Sequence, residues 1–578
     1  MFTVSHFPNQ TRRASILSRA LLLVLLVGYC FKATLLTIEY HHAGLCGPPL
    51  YKREDPSAII TDTHSQSPLA LHNSPPPSNV LPNFDRTNFT KNLSHLLSLL
   101  PNASQAQGLV SPITSTGEAK LHELGLRARA FRSLLDAWEA VHLVPTATGP
   151  LTRDDILQLL QNYPSIAHDL RTDNPTLMHS YETLRIFYTQ LSTRLFDWTT
   201  PYFPSHTTLH TQFHSGGRGL VLTAGDKQAP YVLTSLQSLR QQGCTLPVEI
   251  MYLGDDDLGE DARDALEAIP GVITRDLSPM VQDEGWTLRG WAAKPFAILL
   301  SSFREAIFID ADALFITNPA DLFKDPGYVE TGALFFKDRL LMPGEKRAWL
   351  RQVLPAPLSR AVRRSRMWTG QSIHMQESGV VVVDKWRHFV ALLLVTRLNG
   401  PDRDGDKANG KVGVYDMVYG DKETFWLGWE LVGDTDYAFH EGDAAVMGTA
   451  KVNRARAAAD NETVDAAEGD SRSGNPEDPQ FSICAPQLLH LGTDGRPLWF
   501  NGWLLPNKYS DDPRQQPTAF EAFITEPSEA TAVGAWKLQQ NNVCCLAADH
   551  VGSFSAAEKE VLGGLVEIAR EVGAIGED

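Results

Sequence analysis

The sequence predicts an α/β protein built on a mostly parallel sheet with helices on both faces. Three observations predict it. From Gly219 onward, short apolar runs of strand length alternate with helical stretches, the pattern of strand–helix–strand units. The run 378–384 is nearly all valine, as a strand covered on both faces should be. Acidic residues and glycines come directly after several runs, and open α/β sheets bind ligands at the carboxyl ends of their strands.

Residues 219–224 form a β-type run that stops at Gly225, and a helix is expected over 230–243. A strand at 247–253 precedes helical residues at 259–268 and a strand at 271–276. A helix at about 291–303 leads into the strand 305–310. Upstream, Ser115 and Glu118 make a capping-box pattern before an apolar stripe at Leu121, Leu124, Phe131, Leu135 and Trp138. With further helical stretches at 152–163 and 177–198, residues 115–205 read as a helical region packed on the α/β region C-terminal to it.

The chain has 578 residues and a formal charge of −17. Its length allows several structural units, and its charge excludes a nucleic-acid partner, because phosphate backbones attract basic surfaces. Arg12, Arg13 and Arg19 flank an apolar stretch at 16–38 that is long enough to cross a bilayer. The expected arrangement is a cytosolic tail at 1–15, an anchor at 16–38 and a lumenal remainder. A cleaved signal peptide is the rival reading, but no convincing small-x-small cleavage site comes after the stretch. Residues 39–114 are rich in Pro, Ser, Asn and Thr and read as a disordered stem. Asn88, Asn92 and Asn102 there, and Asn461 further on, stand in glycosylation tripeptides. Residues 206–508 form the expected catalytic domain, with a disordered insert at 454–480. A C-terminal extension at 509–578 ends in an amphipathic helix near 555–571. Five cysteines lie beyond the anchor without a C-x-x-C pair, so one or two disulfides are expected rather than a zinc site.

The chemistry concentrates at Asp310-Ala311-Asp312, directly after the strand 305–310. Two carboxylates at a strand end suit a hard divalent cation that also binds substrate phosphates, although a D-x-D can also be a solvated turn. A second cluster lies at 490–503, where His490 is a candidate third ligand. Gly492 there allows close backbone approach, and Arg496 offers a planar fork to phosphate oxygens. Thr223, Ala224 and Gly225 close the first strand and are candidates for a nucleoside seat, as are Asp255, Asp256 and Asp257 after the second. Lys294 is a candidate donor-phosphate ligand, and Gln376, Glu377 and Ser378 are candidates for a sugar pocket. Asp421 opens a helix and is either its N-cap or a carboxylate near the transferred sugar.

The segments 290–319, 376–386, 420–429 and 490–503, in this order, resemble the fungal Golgi alpha-mannosyltransferases of glycosyltransferase family 71. The resemblance covers roughly 217–508. The last segment is also similar to the H-x-G-x-x-x-x-P-W pattern of retaining glycosyltransferases such as glycogenin, with Arg496 in place of the usual Lys. The resemblance implies a GT-A fold of Rossmann type, Mn²⁺, a GDP-mannose donor, a mannose-containing glycan acceptor and retention of the alpha configuration. It implies a single-pass type II Golgi membrane protein, with alpha-1,3 transfer favoured over alpha-1,2. Retention needs a carboxylate near the donor sugar or a front-face attack, and Asp421 and Glu377 are the candidates. A transferase using a UDP-sugar and a non-catalytic glycan-binding protein are the alternatives.

Overall fold

The computed structural model describes residues 84–147, 149–452, 480–510, 512, 514–528 and 533–576. These lie in one compact unit, Val80–Asp578. The tail, the anchor at 16–38, Cys46, Asn461 and nearly all of the 454–480 insert fall outside the described residues. Among the described residues, no helix is long and apolar enough to cross a membrane.

After a short hairpin of β1 (Leu143–Thr146) and β2 (Gly149–Thr152) comes the central sheet. It contains β3 (Arg218–Thr223), β4 (Val248–Tyr252), β5 (Val272–Asp276), β6 (Glu305–Ile309), β8 (Ala333–Lys337), β9 (Gln376–Asp384) and β10 (Ala438–Phe439). The order is β10-β8-β9-β6-β3-β4-β5. Four of its six pairings are parallel; β9 runs antiparallel to both β6 and β8. The sheet is therefore mostly parallel, as the sequence suggested, with β9 as the antiparallel exception. The valine run does form a strand covered on both faces. Val381 and Val383 enter one core, while Val380 and Val382 enter the other, as the two-residue repeat of a strand requires.

A six-stranded antiparallel sheet adjoins the first, in the order β19-β16-β11-β14-β15-β7. Its strands are β7 (Ala313–Phe315), β11 (Ala444–Gly448), β14 (Leu488–Leu491), β15 (Pro497–Asn501), β16 (Ala522–Thr525) and β19 (Gly552–Ser553). A third sheet joins β12 (Lys451–Val452), β13 (Phe481–Ala485), β17 (Lys537–Leu538) and β18 (Cys544–Ala548). Cys484 and Cys545 face each other across β13 and β18 and form a disulfide, leaving Cys244 and Cys544 as buried thiols. These strands correct the C-terminal boundary. Residues 509–578 are not an appendage, because β16 pairs with β11 and β18 with β13. The terminal helix Ala556–Glu571, opened by a capping box of Ser555 and Glu558, packs on the helix Ala229–Gln241.

The helical region covers one face of the central sheet. Its long helices are Gly117–His142 and Asn174–Phe196. Phe131, Leu191, Phe196 and Trp198 share a core with Phe296 and Phe308. The capping box expected at Ser115 is absent: Thr116 is the N-cap and makes no side-chain cap bond, and the Ser115 hydroxyl donates to Glu123 instead. The stem expected over 39–114 is also corrected. Arg86–Ser98 and Ala103–Val110 are helices, and Phe89, Leu93 and Leu96 are buried in a core with Val141, Leu160 and Leu184. Each stretch has an effective cap, Asp85 and Asn102, and the first presents an apolar stripe at i, i+4 and i+7 that the polar composition around it concealed. The Asn92 amide, a candidate glycosylation site, donates to the carbonyl of Ala140 (3.0 Å). Asn102 is tied into its own cap, and Asn88 is exposed.

Removing residues 1–80 should therefore leave the fold intact, whereas Leu93→Ala should cost about 2–4 kcal/mol. Urea midpoints of the two variants decide it; an unchanged midpoint in Leu93→Ala would show that the first helix is not part of the core. Burial also pushes His142 and His206 down to about 4. Both imidazoles stay neutral in the fold but protonate in the unfolded chain. Unfolding then takes up protons, and stability falls as pH drops from about 6.5 toward 4. His206→Gln should flatten that fall; a midpoint with the same pH slope as the parent would refute the neutral imidazole.

Candidate active site

β6 is apolar and buried from Ala306 to Ile309, and it ends in the D-x-D turn. The Asp310 amide donates to the carbonyl of Gly379 on β9 (2.8 Å), and the Ala313 amide closes the turn on the carbonyl of Asp310 (3.0 Å). The chain then enters β7 of the second sheet, and the amide of Trp503 donates to the carbonyl of Asp312 (3.1 Å). The motif is thus the seam between the two sheets, tied from both sides. Gly379 fits tightly there: a Cβ would come to 3.0 Å from Asn501 Nδ2 and Glu377 Oε1, which would have to give way.

A cavity of about 1080 Å³ opens at this seam. The ends of β3 and β4 supply Thr223, Ala224, Gly225 and Asp257 to its wall. Asp257 is anchored by accepting from the Leu253 amide (3.0 Å), and Asp255 points instead to Arg263. Asp310 and Asp312 line the cavity together with Lys294, Glu377, Ser378 and Asp421.

The center of charge is Lys294, on the helix Ala293–Leu300. Its ammonium is buried and donates to Asp310 Oδ2 (3.0 Å), the Ser378 carbonyl (2.9 Å) and Ser378 Oγ (3.1 Å), and it pairs with Asp421 Oδ2 (2.9 Å). Burial alone would lower its pKa, but Asp310 and Asp421 hold it above the usual lysine value. Its donors are all engaged, so Lys294 is a positioning residue rather than the phosphate ligand the sequence suggested. Burial pushes Asp310 up to about 7 against the pull of Lys294, with the charges of Asp312 and Asp421 adding to the rise. Asp421 is not an N-cap: Glu423 holds that position on the helix Thr424–Val432. The Asp421 carboxylate instead accepts from Ser378 Oγ (2.8 Å).

Glu377 is held differently. Its Oε2 accepts from Lys422 (2.7 Å), and its Oε1 accepts from the Gly379 amide (2.9 Å) and Asn501 Nδ2 (2.8 Å). Burial favours its neutral form, yet Lys422 keeps its pKa well below the ordinary carboxylate range. Lys422 also donates to Asp338 (2.8 Å), a cavity residue with no sequence signal. Gln376, next on the strand, turns away from the cavity and accepts from the Trp426 amide (3.2 Å).

Three candidates from the second cluster are not brought to the cavity. His490 faces Trp499 across β14 and β15 and stacks on it at 4.1 Å, with Phe336 edge-on at 5.2 Å. Burial pushes it down to about 3. Such cross-strand partners share a face, and that face is the sheet core. Gly492 closes the hairpin turn by donating its amide to the Arg496 carbonyl (2.7 Å). The Arg496 guanidinium pairs with Glu558 of the terminal helix. Besides Lys294, a second cation reaches the D-x-D: Lys508, beyond β15, paired with Asp312. It lies in a loop whose backbone is held by Gln515 through Asn507, a contact no motif announces. Among the described residues no group of three or more His, Cys, Asp or Glu is arranged to hold a metal ion. Asp310 and Asp312 alone are oxygen donors of the type a hard divalent cation takes, with its remaining positions filled by substrate oxygens and water.

Residues 217–492 match the family described as "Mannosyltransferase putative". Over those residues, just under half of its length, the chain is similar to this family. The matched residues include Lys294, the D-x-D, Glu377 and Asp421, while Asn501 and Lys508 lie beyond them. Alpha-1,3-mannosyltransferase MNT3 of Saccharomyces cerevisiae is 27% identical over 344 residues, covering 53% of this chain and 50% of that protein. Alpha-1,3-mannosyltransferase MNN1 of the same yeast is 26% identical over 336 residues, covering 50% and 40%. The chain thus spans about half the length, or less, of these relatives. Among solved structures, the bifunctional glycosyltransferase WbbM in its apo form aligns with 50% of this chain and 53% of its own at 13% identity and a TM-score of 0.27, too low to decide the fold.

The two cations should separate by experiment. Arg496→Ala should leave activity near the parent's and change stability by less than about 1 kcal/mol, since its pair with Glu558 is part-exposed. Lys508→Ala should lower kcat/KM by about 100-fold, as the loss of a charge beside the reacting groups does. The reverse ranking would return the phosphate contact to Arg496. Lys294→Met leaves Asp310 and Asp421 buried without their counter-charge and should destabilise by about 3 kcal/mol; a calorimetric midpoint equal to the parent's would rule out the hub.

Proposed function

We infer that this protein is a retaining alpha-mannosyltransferase that moves mannose from GDP-mannose to mannose residues of glycoprotein glycans, with alpha-1,3 linkage favoured. The observation that carries the reading is the D-x-D turn on the wall of a large cavity inside the matched mannosyltransferase region. The names of the yeast relatives support the linkage and the sugar.

In this reading Thr223, Ala224 and Gly225 seat the nucleoside at the end of β3, beside Asp257. Asp310 and Asp312 would hold a manganese ion, which would supply positive charge for the departing diphosphate. Lys508 adds a second positive charge on the same side. Lys294 fixes Asp310 and Asp421 in one arrangement, so neither carboxylate must reorganise during transfer. Asp421 is the better of the two carboxylates to face the donor sugar, because both oxygens of Glu377 are already engaged. An acceptor hydroxyl attacks the anomeric carbon as the carbon–oxygen bond to the diphosphate breaks.

We also propose the setting: a single-pass type II Golgi membrane protein with its catalytic part in the lumen. The arginine-flanked apolar stretch at 16–38 supports this orientation. The disulfide between Cys484 and Cys545 suits an oxidising compartment.

The test uses the full chain with Mn²⁺, labelled GDP-mannose and a mannoside acceptor, with UDP-glucose and UDP-galactose in parallel. Transfer from GDP-mannose alone, lost in excess chelator and reduced by at least about 100-fold in Asp312→Ala, is expected. Transfer from a UDP-sugar instead would overturn the donor, and full activity in chelator would overturn the metal.

A further inference from the structure

We propose that Trp291 and Tyr419 form a stacking platform for a second sugar of the acceptor, so that the enzyme recognises an oligosaccharide rather than a single mannose. This rests on the transferase reading and adds the size of the acceptor to it.

The two rings are the anomaly of the cavity mouth. Trp291 is 64% exposed and Tyr419 is 60% exposed, although five other tryptophans of the chain are among its most deeply buried side chains. Both line the cavity. The Tyr419 segment passes beside Trp291: a Cβ on Gly420, the next residue, would meet the Trp291 ring at 3.4 Å. A large aromatic left open at the lip of a binding cavity is an apolar surface awaiting a partner.

Their place in the chain ties the platform to the reaction center. Trp291 lies in the turn Gly290–Ala292, three residues before Lys294, and Tyr419 lies two residues before Asp421. Lys294 and Asp421 are the two halves of the buried ion pair. The platform is therefore carried on the same two chain segments as the buried ion pair.

The surroundings fit a saccharide. A sugar ring has a face of C–H groups that lies flat on an aromatic ring, while its hydroxyls need polar partners at the edge. Such partners are present. His374 lines the cavity, and its ring is 6.0 Å from that of Tyr419. Lys346 also lines the cavity here and donates to the Met417 carbonyl (3.2 Å). A nucleobase also stacks on aromatics, but the residues proposed for the nucleoside are at the ends of β3 and β4. A saccharide is the occupant the polar edge favours.

The experiment compares the full chain with Trp291→Ala, Trp291→Phe and Tyr419→Ala. The acceptors are methyl α-mannoside and an α-linked mannotriose. For mannotriose, Trp291→Ala should raise KM about tenfold with kcat nearly unchanged, and Trp291→Phe should restore most of it. KM for methyl α-mannoside should not move. Independently of transfer, mannotriose should shift the tryptophan fluorescence of the parent in the absence of donor, and Trp291→Ala should abolish that shift. Both rings are exposed, so the variants should fold, which circular dichroism checks. Equal KM values for mannotriose in parent and Trp291→Ala, or a loss of GDP affinity in that variant, would overturn the platform. A parent that transfers no sugar to any acceptor yet shows the fluorescence shift would instead refute the transferase reading and leave the platform standing.

Discussion

Everything at the candidate active site depends on one buried ammonium. Lys294 reaches from a helix covering the central sheet to three acceptor groups on different elements: Asp310 after β6, Ser378 on β9 and Asp421 before the next helix. In a low-dielectric interior an unpaired charge is costly, so each of these groups is held by what the others would lose. That mutual dependence replaces flexible loops with one fixed arrangement of carboxylates. Burial raises Asp310 toward neutrality against the pull of Lys294, which itself stays charged.

The second constraint is the seam between two sheets. The D-x-D belongs to neither sheet alone. Asp310 is bonded through its backbone to β9, and Asp312 is bonded through its backbone to the segment after β15. A cavity placed between two sheets can draw on both: Thr223 to Gly225 from the first, Asn501 and Lys508 from the edge of the second. The Lys422 bridge from Glu377 to Asp338 adds a further tie from β9 to the segment after β8. The walls of the site are thus braced by paired charges, which suits a reaction in which charge separates.

The architecture was readable wherever a local pattern was itself the cause of the structure. The alternation of strands and helices over 219–310 matches β3 to β6 closely because strand length and apolar runs are local properties. The D-x-D was readable for the same reason, since a polar pair directly after an apolar strand has to lie at its end. The first two helices escaped because polar residues between the apolar positions lowered the apparent hydrophobicity of 84–110, and only the i, i+4 and i+7 spacing of Phe89, Leu93 and Leu96 betrayed them. The second sheet escaped because its strands are short and its partners lie far apart, β11 with β16 and β7 with β15.

The sequence by itself determined the central strands, the helices on them, the strand-end carboxylates and the match of residues 217–492 to a mannosyltransferase family. Only the tertiary structure decided which cations serve those carboxylates. His490 and Arg496 had suitable chemistry and suitable spacing, yet one stacks in a sheet core and the other pairs with Glu558. Lys508 had no motif and reaches Asp312. Spacing along a chain constrains neighbours within one element, where the backbone sets the geometry. Contacts between residues nearly two hundred positions apart are set by how sheets pair and which face a side chain takes, and those are properties of the whole fold.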